Sequence, residues 1–245
     1  MMMEQKNLKT MIKEAKRIVF FGGAGVSTGS GIPDFRGSGG LYTEANETEE
    51  SPEEILSGEY LRKYPEKFYR YYKKNMLYPN AKPNGAHRAL AKLEQMGKLT
   101  SVITQNIDGL HEAAGSRNVI AVHGSVLSNY CTSCYKEYPL SYILEAESVP
   151  LCEHCGNPVR PDVVLYGEGL DGLAFTRAQR EIERADLLIV GGTSLTVYPA
   201  AGLLHSFRGK NLVIINRTPT PYDPYAALII RDPIEDVLSE ATKEM

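Results

Sequence analysis

The chain has no excess of either charge, no long apolar run and few cysteines, and each shortage closes off a class of protein. Its formal net charge is −3 over 245 residues. That offers neither the basic footprint of a nucleic-acid binder nor a counter-charge for an anionic membrane. No stretch approaches the about 18 consecutive apolar residues of a membrane span. Residues 1–16 are polar and amphipathic and lack the apolar centre of a signal peptide. A cytoplasmic location is the resulting expectation. All four cysteines fall between positions 131 and 155, and in a reducing compartment such clustering favours a metal over disulfides. With 42% hydrophobic residues, the chain can build one sizeable core and a small second module.

Against these absences stands one dense stretch, residues 22–36. It follows Ile18, Val19, Phe20 and Phe21, an apolar run that reads as a buried parallel strand. Gly23 and Gly25 permit close backbone approach, and Ser27 and Thr28 are placed to cap a helix. A strand, a Gly-rich turn and a helix N-terminus together make a site for a pyrophosphate. Thr28, however, stands where the usual dinucleotide fingerprint has its third glycine. No strand ending in an acidic ribose ligand follows about 20 residues on. Instead Asp34, Phe35 and Arg36 put a carboxylate, an aromatic face and a guanidinium into the loop behind the turn. Read alone, that loop is a solvated surface turn.

Further along, Leu8, Met11, Ile12 and Ala15 are spaced for a helix covering the sheet. Residues 43–54 are rich in Glu, Ser, Thr and Asn and read as a mobile loop. Residues 53–76 read as helical, broken near Pro65, with a Tyr-rich run whose simplest role is packing. Residues 83–87 open a helix with His87 in its first turn, in a structural role. Residues 101–104 form a strand that ends in Gln105, Asn106, Ile107 and Asp108. Ligands of open α/β sheets sit at the carboxyl ends of strands, so these amides and the carboxylate are placed to bind ribose hydroxyls or a carboxamide; helix capping is the alternative. Residues 119–122 are a third strand, with His123 directly behind it as a candidate general base. His111 reads as structural, and His205 has no evident partner. Residues 160–168 form an extended apolar segment with an edge available to a peptide. A helix over 172–184 precedes a buried strand over 186–190, and that strand ends in Gly191, Gly192, Thr193 and Ser194. A helix over 199–207, a strand over 211–215, the polar strand end Asn216-Arg217-Thr218, a strand over 226–230 and a C-terminal helix complete the chain. This alternation specifies an α/β fold, a doubly wound parallel sheet.

Cys131 and Cys134, then Cys152 and Cys155, form two Cys-x-x-Cys knuckles separated by 17 residues. Four thiolates at this spacing close a tetrahedral site with no open position, which makes the metal structural zinc. A redox pair or an iron–sulfur cluster is the alternative, and His154 could stand in for a cysteine.

Taken together, these stretches resemble the bacterial sirtuin family of NAD-dependent protein lysine deacylases. The resemblance rests on Gly23-Ala24-Gly25-Val26-Ser27, Pro33-Asp34-Phe35-Arg36, Thr104-Gln105-Asn106-Ile107-Asp108, His123-Gly124, both cysteine pairs and Gly192-Thr193-Ser194-Leu195. It implies a Rossmann-type domain of residues 1–40, 85–127 and 160–245. It also implies a small domain made of a helical insertion (41–84) and a zinc ribbon (128–159). NAD+ as co-substrate and an acyl-lysine peptide would enter the cleft between them. By the same resemblance Gly23, Ala24, Gly25, Thr28, Asp34, Phe35, Arg36, Gln105, Gly192, Thr193, Ser194, Asn216, Arg217 and Ile234 would contact NAD. Asn106, Ile107 and Asp108 would form the nicotinamide pocket, with Asn106 and Asp108 also catalytic. His123 would deprotonate a ribose hydroxyl. Val164, Tyr166, Gly167 and Val197 would flank the peptide or the acyl-lysine stem. The implied products are nicotinamide, free lysine and O-acetyl-ADP-ribose.

The chain departs from the family pattern at three places. Gly22 stands where threonine is usual and Tyr166 where phenylalanine is usual. Tyr69 and Tyr72 occupy the positions of the Tyr-x-x-Arg pair of the succinyl-preferring branch, with no arginine at the second. That predicts a preference for neutral acyl groups such as acetyl. Mono-ADP-ribosyl transfer, deacylation of another acyl chain and a non-catalytic NAD-sensing module are the competing readings, and a dehydrogenase fits least. A monomer is the expected state.

Overall fold

The computed structural model describes residues 2–35, 40 and 50–245. The chain begins with helix α1 (Met2–Glu14) and strand β1 (Ile18–Gly22), followed by two short 3₁₀ turns, Ala24–Val26 and Thr28–Ser30. Three helices follow: α2 (Pro52–Ile55), α3 (Gly58–Lys63) and α4 (Pro65–Asn75). Then come α5 (Gly85–Gln95), β2 (Leu99–Thr104), α6 (Leu110–Ala113), β3 (Val119–Ala121), β4 (Gly124–Cys131), β5 (Glu137–Pro139), α7 (Leu140–Glu145) and β6 (Val159–Val163). The chain ends with α8 (Gly172–Arg184), β7 (Leu187–Gly191), a 3₁₀ segment (Ala200–Ser206), β8 (Asn211–Ile215), β9 (Leu228–Ile230) and α9 (Ile234–Thr242).

Six strands form one parallel sheet in the order β3-β2-β1-β7-β8-β9. The strands are mostly apolar because both sheet faces are buried, with polar residues confined to Thr100, Ser101 and Thr104 of β2 and Asn211 at the start of β8. Ile18 and Phe20 pack with α1, α5 and α9 on one face; Val19 and Phe21 pack with α8 and the 3₁₀ segment on the other. The winding reverses between β1 and β7. Their carboxyl ends therefore leave a crevice that no crossover covers, which is where ligands bind in such sheets.

A three-stranded antiparallel sheet, β5-β4-β6, sits beside the large one. Its apolar face shares a core with the helical insertion: Phe68, Tyr69 and Tyr72 of α4 pack with Val126, Tyr138, Ile143 and Val159. The Tyr69 hydroxyl donates to the Val159 carbonyl at 2.5 Å. Two sequence-distant insertions thus fold as one module. β4 and β6 run across the expected boundaries at 127/128 and 159/160.

Several expectations change. The helix expected at Ser27 and Thr28 is absent: neither side chain caps, the Thr28 hydroxyl turns back to the Gly25 carbonyl at 3.0 Å, and Gly31 at φ 82° ends the turn. Residue 52, expected in a mobile loop, opens α2 together with residues 53 and 54, which fell in both the loop and the helical readings, because Ser51 and Glu54 form a reciprocal capping box and Pro52 is pre-set for the first turn. The rest of that loop, 43–49, lies outside the described residues apart from the flanking positions 50 and 51. Pro65 breaks the helical insertion as expected, as the first residue of α4. The last strand is shorter than expected, since residues 226 and 227 precede it.

Candidate active site

The two turns at the crevice are built against each other. The Gly25 N–H donates to the Gly192 carbonyl at 2.8 Å. A Cβ at Gly25 would lie 2.8 Å from Gly192 Cα, and one at Gly192, whose φ is +59°, would lie 2.3 Å from the Val26 nitrogen. Glycine is required here first for turn-on-turn packing. Gln105 ties in the third turn: its backbone N–H donates to the Gly22 carbonyl at 2.9 Å and its Nε2 to Thr193 Oγ1 at 3.1 Å.

Ser27 is a functional position that the sequence reading left out of the site. It is buried, its hydroxyl donates to Asp108 Oδ2 at 2.6 Å, and it accepts from Asn106 Nδ2 at 3.0 Å. One hydroxyl therefore orients both the amide and the carboxylate. Asp108 Oδ1 accepts from the Leu110 N–H at 2.9 Å, so Asp108 also supports the turn into α6. The available signal was a serine inside the glycine turn itself.

His123 follows β3. Its Nδ1 lies 2.9 Å from the Gln105 carbonyl oxygen. A carbonyl only accepts, so Nδ1 carries the proton and Nε2 keeps its lone pair. Burial pushes the His123 pKa below its ordinary value, with the Gln105 hydrogen bond opposing. The imidazole is thus a neutral base near pH 7.

One cavity of about 1130 Å³ spans the crevice and the junction with the small module. Its wall holds every residue expected to contact nucleotide or peptide except Arg36, which lies outside the described residues. Gly23, Ala24, Gly25, Thr28, Asp34 and Phe35 line it behind β1, and Gln105, Asn106, Ile107 and Asp108 behind β2. His123 lies behind β3, Val164, Tyr166 and Gly167 behind β6, and Gly192, Thr193, Ser194 and Val197 behind β7. Asn216 and Arg217 lie behind β8, and Ile234 opens α9. Arg231 was not foreseen. It donates to the Asn216 carbonyl at 2.9 Å and pairs with Asp223, which braces the loop behind β8.

The expected free edge of residues 160–168 is partly occupied. Tyr166 N–H donates to the Leu56 carbonyl at 3.0 Å, and the Gly58 N–H donates to the Tyr166 carbonyl at 3.1 Å. Val164 N–H donates to the His123 carbonyl at 3.0 Å. Among the described residues, the Val164 carbonyl and the Gly167 N–H make no hydrogen bond.

Beneath the site, the His87 and His111 rings meet with centroids 4.7 Å apart, tilted by 57°. Both read as structural from the sequence. His87 Nδ1 accepts from the Asn84 N–H at 3.2 Å, and Asn84 Nδ2 donates to the Val26 carbonyl at 2.8 Å, which ties α5 to the glycine turn. Burial lowers the pKa of His87 to about 4 and of His111 to about 3. The unfolded chain takes up these protons near pH 6.5 and the native protein does not. Stability is therefore complete above about pH 6.5 and falls as pH drops toward 4, by about 2 kcal/mol per histidine between pH 7 and 5. Denaturant melts at the two pH values measure this loss, and His111→Leu is expected to remove about half of it. His205, without a partner in the sequence reading, meets the Tyr222 hydroxyl at 3.1 Å.

The four cysteines converge. Their sulfurs lie within 4.8 Å of one another, with Cys131–Cys155 at 3.4 Å and Cys134–Cys152 at 3.5 Å. Zinc–sulfur bonds of about 2.3 Å in a tetrahedron place sulfurs about 3.8 Å apart, so the set fits structural zinc. Tyr138 supports it, donating to Cys152 Sγ at 3.1 Å.

Known proteins with this arrangement are numerous. The sequence model of the Sir2 family matches residues 23–199. An NAD-dependent protein deacetylase of Clostridium perfringens is 55% identical over 95% of this chain and 96% of its own. One from Staphylococcus epidermidis is 48% identical over 96% and 95%. Among solved structures, a Sir2 variant with a deacetylated p53 peptide and 3′-O-acetyl-ADP-ribose is 40% identical, covers 98% of both chains and superposes with a TM-score of 0.89. A Sir2 homologue in complex with NAD is 42% identical over 97% of this chain and 92% of its own, with a TM-score of 0.87. The switch-point crevice, the histidine at the end of β3 and the four-cysteine module therefore have one common origin: the chain belongs to the Sir2 family.

Proposed function

We propose that the protein is an NAD-dependent protein lysine deacetylase that transfers the acetyl group of acetyl-lysine to ADP-ribose, releasing nicotinamide, free lysine and O-acetyl-ADP-ribose. The convergence of Ser27, Asn106, Asp108 and His123 on one crevice carries this reading. The relatives named as deacetylases support it.

The cavity suits NAD: its volume exceeds that of an ordinary small-ligand pocket, and its glycine turns, amides and apolar side chains match a dinucleotide. Bound NAD supplies the ribose carbon that accepts the acyl oxygen, with cationic nicotinamide as the leaving group. The chain's own part is positioning and proton transfer. Gly23, Ala24, Gly25, Thr28, Asp34, Phe35, Arg36, Gln105, Gly192, Thr193, Ser194, Asn216, Arg217 and Ile234 hold the nucleotide. Asn106 and Asp108, fixed by Ser27, meet the carboxamide beside Ile107. His123 Nε2 removes a proton from a ribose hydroxyl. The Val164 carbonyl and the Gly167 N–H pair with the peptide, and Tyr166 and Val197 flank the lysine stem.

We place the domain junctions beside residues 124 and 163, where β4 begins and β6 ends, rather than within those strands. No described helix is long and apolar enough to cross a membrane. Four thiolates committed to zinc suit a cytoplasmic enzyme acting on acyl-lysine proteins. Mass spectrometry of an acetyl-lysine peptide with protein and NAD tests the function. Acetyl loss that requires NAD and yields O-acetyl-ADP-ribose supports it; label from NAD remaining on protein would point to ADP-ribosyl transfer.

Acyl preference follows from the same wall. Tyr69 is spent on Val159, and the cavity near Tyr72 is lined by Met76, Ile107, Val126 and Leu140, with no arginine at position 72. Among the described residues lining the cavity there, none offers a cation to a succinyl carboxylate, so kcat/KM is expected to be at least about tenfold higher on acetyl- than on succinyl-lysine peptide. The reverse order would refute this.

A further inference from the structure

We propose that Arg160 and Glu168 are positioning residues for the acyl-lysine peptide, holding residues 164–167 in the shape that presents the Val164 carbonyl and the Gly167 N–H. The proposal rests on the deacetylase reading above.

The pair is bidentate: Arg160 Nη1 donates to Glu168 Oε1 at 2.7 Å and Nη2 to Oε2 at 2.9 Å. Both side chains are largely shielded, with 18% and 28% of their surfaces exposed. Each partner also grips the segment between them. Arg160 Nη2 donates to the Val163 carbonyl at 3.1 Å. Glu168 Oε2 accepts the Leu165 N–H at 3.0 Å, and the Glu168 N–H donates to the Leu165 carbonyl at 3.0 Å. The Arg160 guanidinium lies 5.9 Å from the centre of the Tyr130 ring, which anchors it to β4.

These bonds take the backbone groups of residues 163 and 165, while His123 takes the Val164 N–H and residues 56 and 58 take both groups of Tyr166. What remains is the Val164 carbonyl and both backbone groups of Gly167, and both residues line the cavity. Without the ion pair, the turn at residues 165–168 would keep only its outer tethers and the single backbone bond from Glu168 to Leu165. Gly58 completes the fit: a Cβ there would lie 2.7 Å from Glu168 Oε1. The carboxylate is thus locked between β6 and the helical insertion. Neither residue touches the reacting atoms, so the expected signature is weaker peptide use with unchanged NAD use.

The test compares wild type with Glu168→Gln and Gly58→Ala. Glu168→Gln keeps an acceptor for Leu165 but loses the charge pair. Gly58→Ala keeps both charges and displaces the carboxylate. Steady-state kinetics on an acetyl-lysine peptide are expected to show peptide KM raised about tenfold in each, kcat changed less than about threefold and KM for NAD unchanged. Zinc content and melting temperature are read alongside. Unchanged peptide KM in either folded variant, or equal rises in both KM values, would overturn the proposal; should Glu168→Gln fail to fold, Gly58→Ala decides. Absence of deacetylation by the wild type would instead overturn the functional reading.

Discussion

Replacing His123 by alanine is expected to lower kcat/KM for deacetylation by about 10²–10⁴-fold, the range for loss of a positioned general base. The effect should fall on chemistry. His123 contacts the rest of the site through one bond, Nδ1 to the Gln105 carbonyl, and its own backbone carbonyl continues to accept from Val164 whatever the side chain. NAD affinity, zinc content and melting temperature should therefore stay near wild type. The pH profile gives an independent check. The base works only when Nε2 is unprotonated, so activity falls as pH drops through the folded pKa. Burial sets that pKa below the ordinary value of about 6.5. The acid limb of kcat/KM should thus lie below pH 6.5. A limb above it, or an alanine variant within a few-fold of wild type, would remove His123 from this role.

What the sequence disclosed, and what it hid, follows from the range of each interaction. The strands were legible because a sheet buried on both faces writes uninterrupted apolar runs, as at residues 18–21. The two cysteine knuckles were legible because each closes over three residues. Ser27 was not: its role depends on Asp108, 81 residues away, and a serine in a glycine turn reads equally well as a cap. The expected helix at Ser27 failed for the same reason, since the hydroxyl that would cap is committed to the site. Gly25 and Gly192 each look like ordinary turn residues, and only their mutual approach shows why neither tolerates a side chain. The expected domain boundaries fall inside β4 and β6 because the pairing of these strands with each other, 28 or more residues apart in sequence, leaves no local mark at their ends.

Zinc removal is expected to abolish activity by unfolding the small module while the six-stranded sheet survives. Cys131 and Cys152 are buried within the core that also holds Phe68, Tyr72, Val163 and Leu165. The metal therefore supports both insertions and the strand that leads to residues 164–167. Structural zinc contributes roughly 10–16 kcal/mol of apparent binding free energy, and the few apolar residues of a module this small cannot replace that. The main sheet has separate cores on its two faces, neither containing a cysteine. Incubation with a strong chelator should release zinc and activity in parallel, and Cys152→Ala should reproduce the loss. Circular dichroism should retain a cooperative transition for the sheet, and added zinc should restore turnover. Tyr138→Phe should speed the release, because Cys152 loses its hydroxyl donor while the ring remains packed. Full activity in zinc-free protein would show that the apolar core alone holds the peptide-facing segment.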